Sequence, residues 1–296
     1  MLRSMYAGIS GMKNFQTKLD VIGNNIANVN TTGFKKGRVT FQDMMSQTVA
    51  SAQAATDIRG GINASQVGLG SQTGSIDNIQ TQGSLQTTNR ALDLALEGDG
   101  MFVLGSNLND DANVDMENSD ISFTRSGNFY LDDDGYIVNP DGLYLLGEGA
   151  TEAGLLTGNL SRINIPDDAA SFSISNDGTV NYVDGNGEAL VAGQIRLASF
   201  SNPGGLEKGG ANTYQMTANA GVFTENADGV FNNLDDLVTP EEAGNASVVS
   251  GALEMSNVDL AEEFTEMITA QRAFQSNTKI ITTSDEILQE LVNLKR

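Results

Sequence analysis

Apolar residues recur every seventh position at both ends of this chain and alternate in short runs between them. From Leu2 to about Asn28, Met5, Met12, Leu19 and Ile26 form one stripe, with Met1, Phe15, Ile22 and Val29 beside it. A sevenfold repeat marks a helix whose apolar face packs on other helices. Gly8, Gly11 and Gly23 each weaken such a helix by about 1 kcal/mol relative to alanine, so the close approach of a neighbouring backbone is expected there. Asn28, Asn30, Thr31, Thr32 and Gly33 then end the helix with turn-forming chemistry. At the other end Leu260, Met267, Phe274, Ile281 and Leu288 recur every seven residues, and Phe264, Ile280, Ile287, Leu291, Val292 and Leu294 widen the stripe. Asp259 with Glu262 reads as a capping box. A helix unbroken to Leu294 would be about 50 Å long at 1.5 Å per residue.

The middle has a different period. Leu92–Leu96, Met101–Leu104, Tyr136–Val138 and Gln194–Phe200 read as strands, with reversals at Asp134-Gly135, Asn139-Pro-Asp-Gly142, Asp177-Gly178, Asp184-Gly-Asn-Gly187 and Asn202-Pro-Gly204. Residues 107 to 120 read as an acidic surface loop. Between Gly33 and about Ser75 the chain is rich in Ser, Gln, Ala, Thr and Gly, a linker by composition, with Phe41, Met44, Met45 and Val67 as apolar anchors. The expected fold is α+β and multidomain. Residues 1–32 and 256–296 form a coiled-coil-like pair of terminal helices, 33–75 an extended linker, and 76–255 an all-β domain.

Stripes this long exceed the usual three or four turns of a globular helix, and two lone helices cannot bury them fully against each other. Further copies of the chain are the expected partners. Charge agrees with this division. The net charge is -22, yet residues 1–50 hold six basic residues against two acidic ones, and residues 253–296 hold four against eight. The ends cancel, which leaves the whole excess on the middle and disfavours nucleic acid and anionic membranes as partners. No apolar run is long enough to insert in a bilayer, and the N-terminus lacks the apolar core of a cleaved secretory signal.

Cysteine, histidine and tryptophan are absent, which removes disulfides, Cys/His zinc sites and histidine-based nucleophilic triads. Asp132-Asp133-Asp134-Gly135 does not fit a calcium loop in register and reads as a hairpin turn. Gly98-Asp-Gly100 and Gly68-Leu-Gly70 lack the third glycine of a dinucleotide loop. Met5, Met12, Met255 and Met267 could suggest a soft metal site, but on helix stripes packing is the better reading. No catalytic residue, cofactor site or metal site is expected; a secreted enzyme or adhesin with anchoring helices is the alternative.

Residues Ser10 to Lys35, and in particular Asn24-Asn25-Ile26-Ala27-Asn28 and Thr32-Gly33-Phe34-Lys35, resemble the N-terminal signature of the bacterial flagellar rod and hook proteins. Leu92–Phe102, Thr124–Tyr130 and Gly204–Lys208 resemble segments of that family's β domain, while Ser256–Leu260, Met267–Asn277 and Thr283–Arg296 look more like the hook than the rod. The length is short for many hook proteins and also suits the distal rod. The resemblance implies a subunit of the flagellar hook, polymerising into a flexible curved tube that acts as a universal joint passing motor torque to the filament, with a distal rod subunit as the alternative. It also implies that the helices line the channel, the linker bridges subunits and the β domain forms the outer layer. Implied partners are further copies, the distal rod protein, the hook cap, the hook-filament junction proteins and the flagellar export apparatus. The implied location is the flagellum outside the cell, reached without a cleaved signal.

Overall fold

The computed structural model describes residues 2–56, 58–108, 114, 116, 119–151, 154–221, 234–241 and 246–294. The chain divides into two compact units, one of residues 1–27, 36–79 and 258–296, the other of residues 28–35 and 80–257.

The first unit contains both long helices, α1 (Leu2–Ala27) and α2 (Leu260–Leu294). It also takes in the stretch expected as linker, which forms two antiparallel ladders. Strand β1 (Gly37–Asp43) pairs with β4 (Ser71–Asn78), and β2 (Ser46–Ala50) with β3 (Ser65–Gly68). Composition hid these strands because their neighbours are polar: Thr40 and Ser75 hydroxyls meet at 2.7 Å, and the amide of Gln66 reaches Thr48. One anchor docks within the unit, Phe41 packing edge-on against Phe15 of α1 at 5.8 Å.

Among its described residues the second unit is β, apart from two 3-10 turns, and it is where the apolar core sits. Strands β5 (Leu85–Thr87) and β6 (Leu94–Glu97) pair with Ala252–Glu254 and Ser247–Ser250. Strands β7 (Met101–Ser106) and β8 (Asp120–Thr124) lie inside a sheet with twelve strands among the described residues. Its main path runs Ser171–Ile174, Thr179–Val183, Ala189–Ile195, Tyr144–Ala150, β7, β8, Thr213–Gln215, Glu207–Gly210. Strand β7 is buried on both faces, which explains its unbroken apolar run. Phe102 and Leu104 join a core with Phe129, Leu145 and Ile163, while Met101 and Val103 join another with Phe123, Leu146 and Leu160. The turn signals fall where expected: Gly135, Gly142, Gly178 and Gly187 all have positive φ. Asp132-Asp133-Asp134-Gly135 is a hairpin turn closed by the Gly135 N–H on the Asp132 carbonyl at 3.0 Å.

Two expectations change here. The turn after α1, residues 28–35, belongs with the β unit rather than with the helices. The loop 107–120 is not wholly a surface loop. Val114 and Met116 are buried in the core, Val114 donating to the Leu160 carbonyl, while residues 109–113, 115, 117 and 118 lie outside the described residues.

Candidate functional site

For a chain expected to assemble, the site is the helix pair and the segments that lead into it. The helices run antiparallel, since Gly8 faces Ile281, Gly11 faces Asn277, and Lys18 meets Glu266 at 3.0 Å. A Cβ on Gly11 would stand 2.8 Å from the Asn277 amide nitrogen, and one on Gly8 3.4 Å from Ile281. Two of the three helix glycines therefore mark close approach. Gly23 has open space around it.

The less exposed positions of α2 follow a 3.5-residue spacing. Glu263, Ala270 and Ser284 are buried, and Met267, Phe274, Asn277, Ile281 and Leu288 are half-buried. Four of the five expected stripe residues are thus half-buried, whereas Leu260 at the start of the helix is 40% exposed. On α1 the expected stripe of Met5, Met12, Leu19 and Ile26 is half-buried, and the most enclosed positions are Gly8, Gly11, Asn14, Ile22 and Asn25. Gly8 and Gly11 stand against Ile281 and Asn277, and Asn14 and Asn25 bond Ser71 and Gly37, so the most enclosed positions of α1 lie beside its sevenfold stripe.

The apolar residues that widen the stripe remain exposed. Phe264 is 50% exposed and Ile268 57%, and each follows a seam position by one residue; Ile280 at 43% and Ile287 at 44% each precede one. The two pairs therefore occupy opposite flanks of the seam. Helix α2 has 35 residues against 26 in α1, and Leu291, Val292 and Leu294 in its last turns are exposed too.

Charged and amide groups fix the ends of the pair near the root of α2. Asp259 caps it, its carboxylate accepting from the Ala261 N–H at 2.8 Å. Glu262 does not fold back to complete a capping box; it accepts from Lys36 at 2.8 Å. Asn25 is almost wholly buried and reads the backbone of Gly37 from both sides, donating to its carbonyl at 2.9 Å and accepting from its N–H at 3.0 Å. Its amide also donates to buried Glu263 at 3.2 Å.

Burial pushes the Glu263 carboxyl above the usual range, and Glu266 and Glu262 add to this, while the Asn25 hydrogen bond and Lys36 oppose it. A carboxyl raised in the fold holds its proton more tightly there than in the unfolded chain. Its charge therefore weakens the fold above the raised value, and this penalty disappears as pH falls towards the ordinary glutamate value of about 4.3. Glu263→Gln keeps an acceptor for Asn25 without the charge. We expect it to raise the thermal midpoint at pH 7 and to lose that advantage near pH 4, read by circular dichroism melts at both values.

The signature after α1 is built into the β unit. Thr31 reaches the Asn28 side chain at 3.1 Å, Thr32 shares a 2.9 Å hydroxyl contact with Ser126, and Asn212 donates to the Thr32 carbonyl. Gly33 has φ +68°, and a Cβ there would stand 2.6 Å from the backbone nitrogen of Ser126. The Phe34 ring is covered by the Lys208 ammonium at 4.7 Å. Lys35 is fully buried, with Glu254 at 2.5 Å and the Thr81 carbonyl at 2.9 Å. Glu254 is equally buried and also meets Arg125 at 3.1 Å. Asn24 and Ala27 are exposed, and Ile26 is half-buried.

Glu254 and Arg125 carry no signal in a reading of periodicity. The nearest hint is a lysine following Thr-Gly-Phe in a segment otherwise read as a turn, since a cation held in such a turn implies a carboxylate elsewhere.

Three family models match the chain: the flagella basal body rod protein over residues 5–35, the D1 domain of flagellar hook protein FlgE/F/G over 95–182, and the C-terminal region of flagellar basal body rod FlgEFG protein over 249–294. The flagellar basal-body rod protein FlgG of Bacillus subtilis is 52% identical over 296 residues, covering all of both chains. FlgG of Caulobacter vibrioides is 36% identical over 99% of this chain and all of the relative. The flagellar hook protein FlgE of Borreliella burgdorferi is 30% identical over an alignment of 464 residues that covers both chains completely. Signature, helix pair and full-length identity agree, and the chain belongs to the flagellar rod and hook protein family, a family of structural proteins and not of enzymes.

Proposed function

We propose that this chain is a subunit of the flagellar basal-body rod that polymerises through α1 and α2 into a straight tube. The observation that carries assembly is the pair of exposed apolar patches on opposite flanks of α2. A closed two-fold dimer uses one patch twice, whereas two different patches on opposite sides suit head-to-tail contacts that continue from copy to copy. In this reading α1 and α2 pack in coiled-coil fashion, Met267, Phe274, Ile281 and Leu288 lying in the seam of α2 and Met5, Met12, Leu19 and Ile26 bordering it on α1. The helices line the channel, strands β1–β4 bridge neighbours and the β unit forms the outer layer.

The rod is favoured over the hook by length and identity together. The 52% match to a rod protein needs 296 positions, while the match to a hook protein needs 464, so the hook relative carries segments this chain lacks. The hook remains the second reading, favoured by the residues of the C-terminal helix, while the D1 model over 95–182 is common to FlgE, FlgF and FlgG and suits both. Both readings share the remaining assignments: a flagellar location outside the cell, export without a cleaved signal, neighbouring rod, hook and export components as partners, and no catalytic role or cofactor. Electron microscopy of polymers grown from the purified full chain separates them. Straight tubes support the rod, curved flexible tubes the hook, and persistent monomer at high concentration overturns assembly by the chain alone.

A further inference from the structure

Lys35 and Glu254 are 219 residues apart in sequence, and each is fully buried against the other. Around them, five segments of the β unit meet. The Gly33 N–H donates to the Glu254 carbonyl at 2.8 Å, and the Gly83 N–H donates to its carboxylate at 2.9 Å. The Arg125 Nε reaches the other carboxylate oxygen, while its terminal nitrogens donate to the carbonyls of Gly98 and Gly100 at 2.6–2.9 Å. Asn257 bonds the Thr81 hydroxyl at 3.0 Å and, through its backbone, the Phe34 carbonyl. Residues 28–35 follow α1 in the chain and residues 252–257 end just before α2, so the cluster joins the segment that leaves one helix to the segment that enters the other.

We propose that Lys35, Glu254 and Arg125 form a clasp that makes the two terminal segments of the β unit one cooperative element, so that the segment leaving α1 and the segment entering α2 open and close together. The physical reason is that neither segment can dock alone without leaving buried polar groups short of their partners. With 252–257 in place and 33–35 absent, Glu254 loses its closest cation and the carbonyl of Glu254 loses the Gly33 donor. With 33–35 in place and 252–257 absent, a fully enclosed ammonium faces Arg125 with no carboxylate between them. Burial and then Arg125 already hold the Lys35 ammonium below the usual lysine range, against the opposing pull of Glu254. Half-closed states are therefore disfavoured relative to fully open or fully closed ones.

Hydrogen exchange on the full-length monomer tests this independently of polymer shape. In Lys35→Met, exchange is expected to speed by at least tenfold both at Gly33 and across the sequence-distant amides of Gly83, Ala252 and Met255. The amides of β7 and of Tyr144–Ala150 keep their wild-type rates. Glu254→Gln should give the same pattern, and the double variant should exchange no faster than the faster single one, because the two residues act as one unit. Lys35→Arg, which keeps the charge but not the fit, serves if the methionine variant does not fold, with the same pattern at smaller amplitude. Faster exchange confined to residues 33–35, or additive effects in the double variant, would overturn the clasp.

Discussion

Serine at both Phe264 and Ile268 is expected to leave the folded monomer unchanged and to raise the concentration needed for polymerisation by about 30- to 150-fold. Both side chains are half or more exposed in the single chain, so their loss removes little from its own core. Burying each against a neighbouring copy is worth about 1–1.5 kcal/mol for a side chain already partly covered, and each 1.4 kcal/mol is a factor of about ten in association. The same replacement at Ile280 and Ile287 disables the opposite flank. A subunit with one working flank can still join a growing end and block the next addition. Either double variant, added in small proportion to wild-type chain, is therefore expected to shorten the polymers. Sedimentation gives the threshold concentration and microscopy the lengths; a variant that is simply ignored by the wild-type polymer would show that the two flanks do not act separately.

Gly33→Ala is expected to act through the β unit and not through the helices. The left-handed backbone at φ +68° costs about 1–2 kcal/mol for a residue with a Cβ, and that Cβ would meet backbone atoms of Arg125 and Ser126 at 2.6–3.0 Å. Backbone cannot swing aside as the end of a side chain can. A total of at least ~3 kcal/mol follows, or a fall of about 6–12 °C in thermal midpoint for a unit of this size. Gly11→Ala is the informative contrast. Its Cβ would crowd only the Asn277 amide, a flexible side-chain end, and it gains about 1 kcal/mol of helix propensity. Melts of the two variants should move far apart, and equal effects would mean that the Gly33 turn yields more easily than its packing implies.

The helices were legible because their apolar spacing is long and regular, and the β unit because its turns need glycine at positive φ, which leaves a mark such as Asp177-Gly178. The ladders of residues 37–78 were hidden, since the β1–β4 ribbon meets α1 largely through polar groups, Asn14 with Ser71 and Thr73, and so needs little apolar alternation. The centre of the helix contact was hidden for a related reason. Periodicity reads apolar residues, and the close approach is made by Gly8 and Gly11 against Ile281 and Asn277, while buried Asn14 and Asn25 hold Ser71 and Gly37. The resemblance pointed to Asn25 and Lys35 without saying what they do, and only the fold brings Gly37 to the first and Glu254 to the second. In both cases the partner is distant or is backbone, and neither leaves a pattern along the chain.

The chain contains no cysteine, so a single introduced thiol reports on one place. The most direct test of assembly through α2 is the rate at which a thiol reagent labels Ile287→Cys in monomer and in polymer, with Asn186→Cys in an exposed turn of the β unit as reference. If copies meet through α2, both thiols react readily in the monomer and only the one at 287 becomes protected in the polymer. Equal reactivity at 287 before and after polymerisation would contradict it.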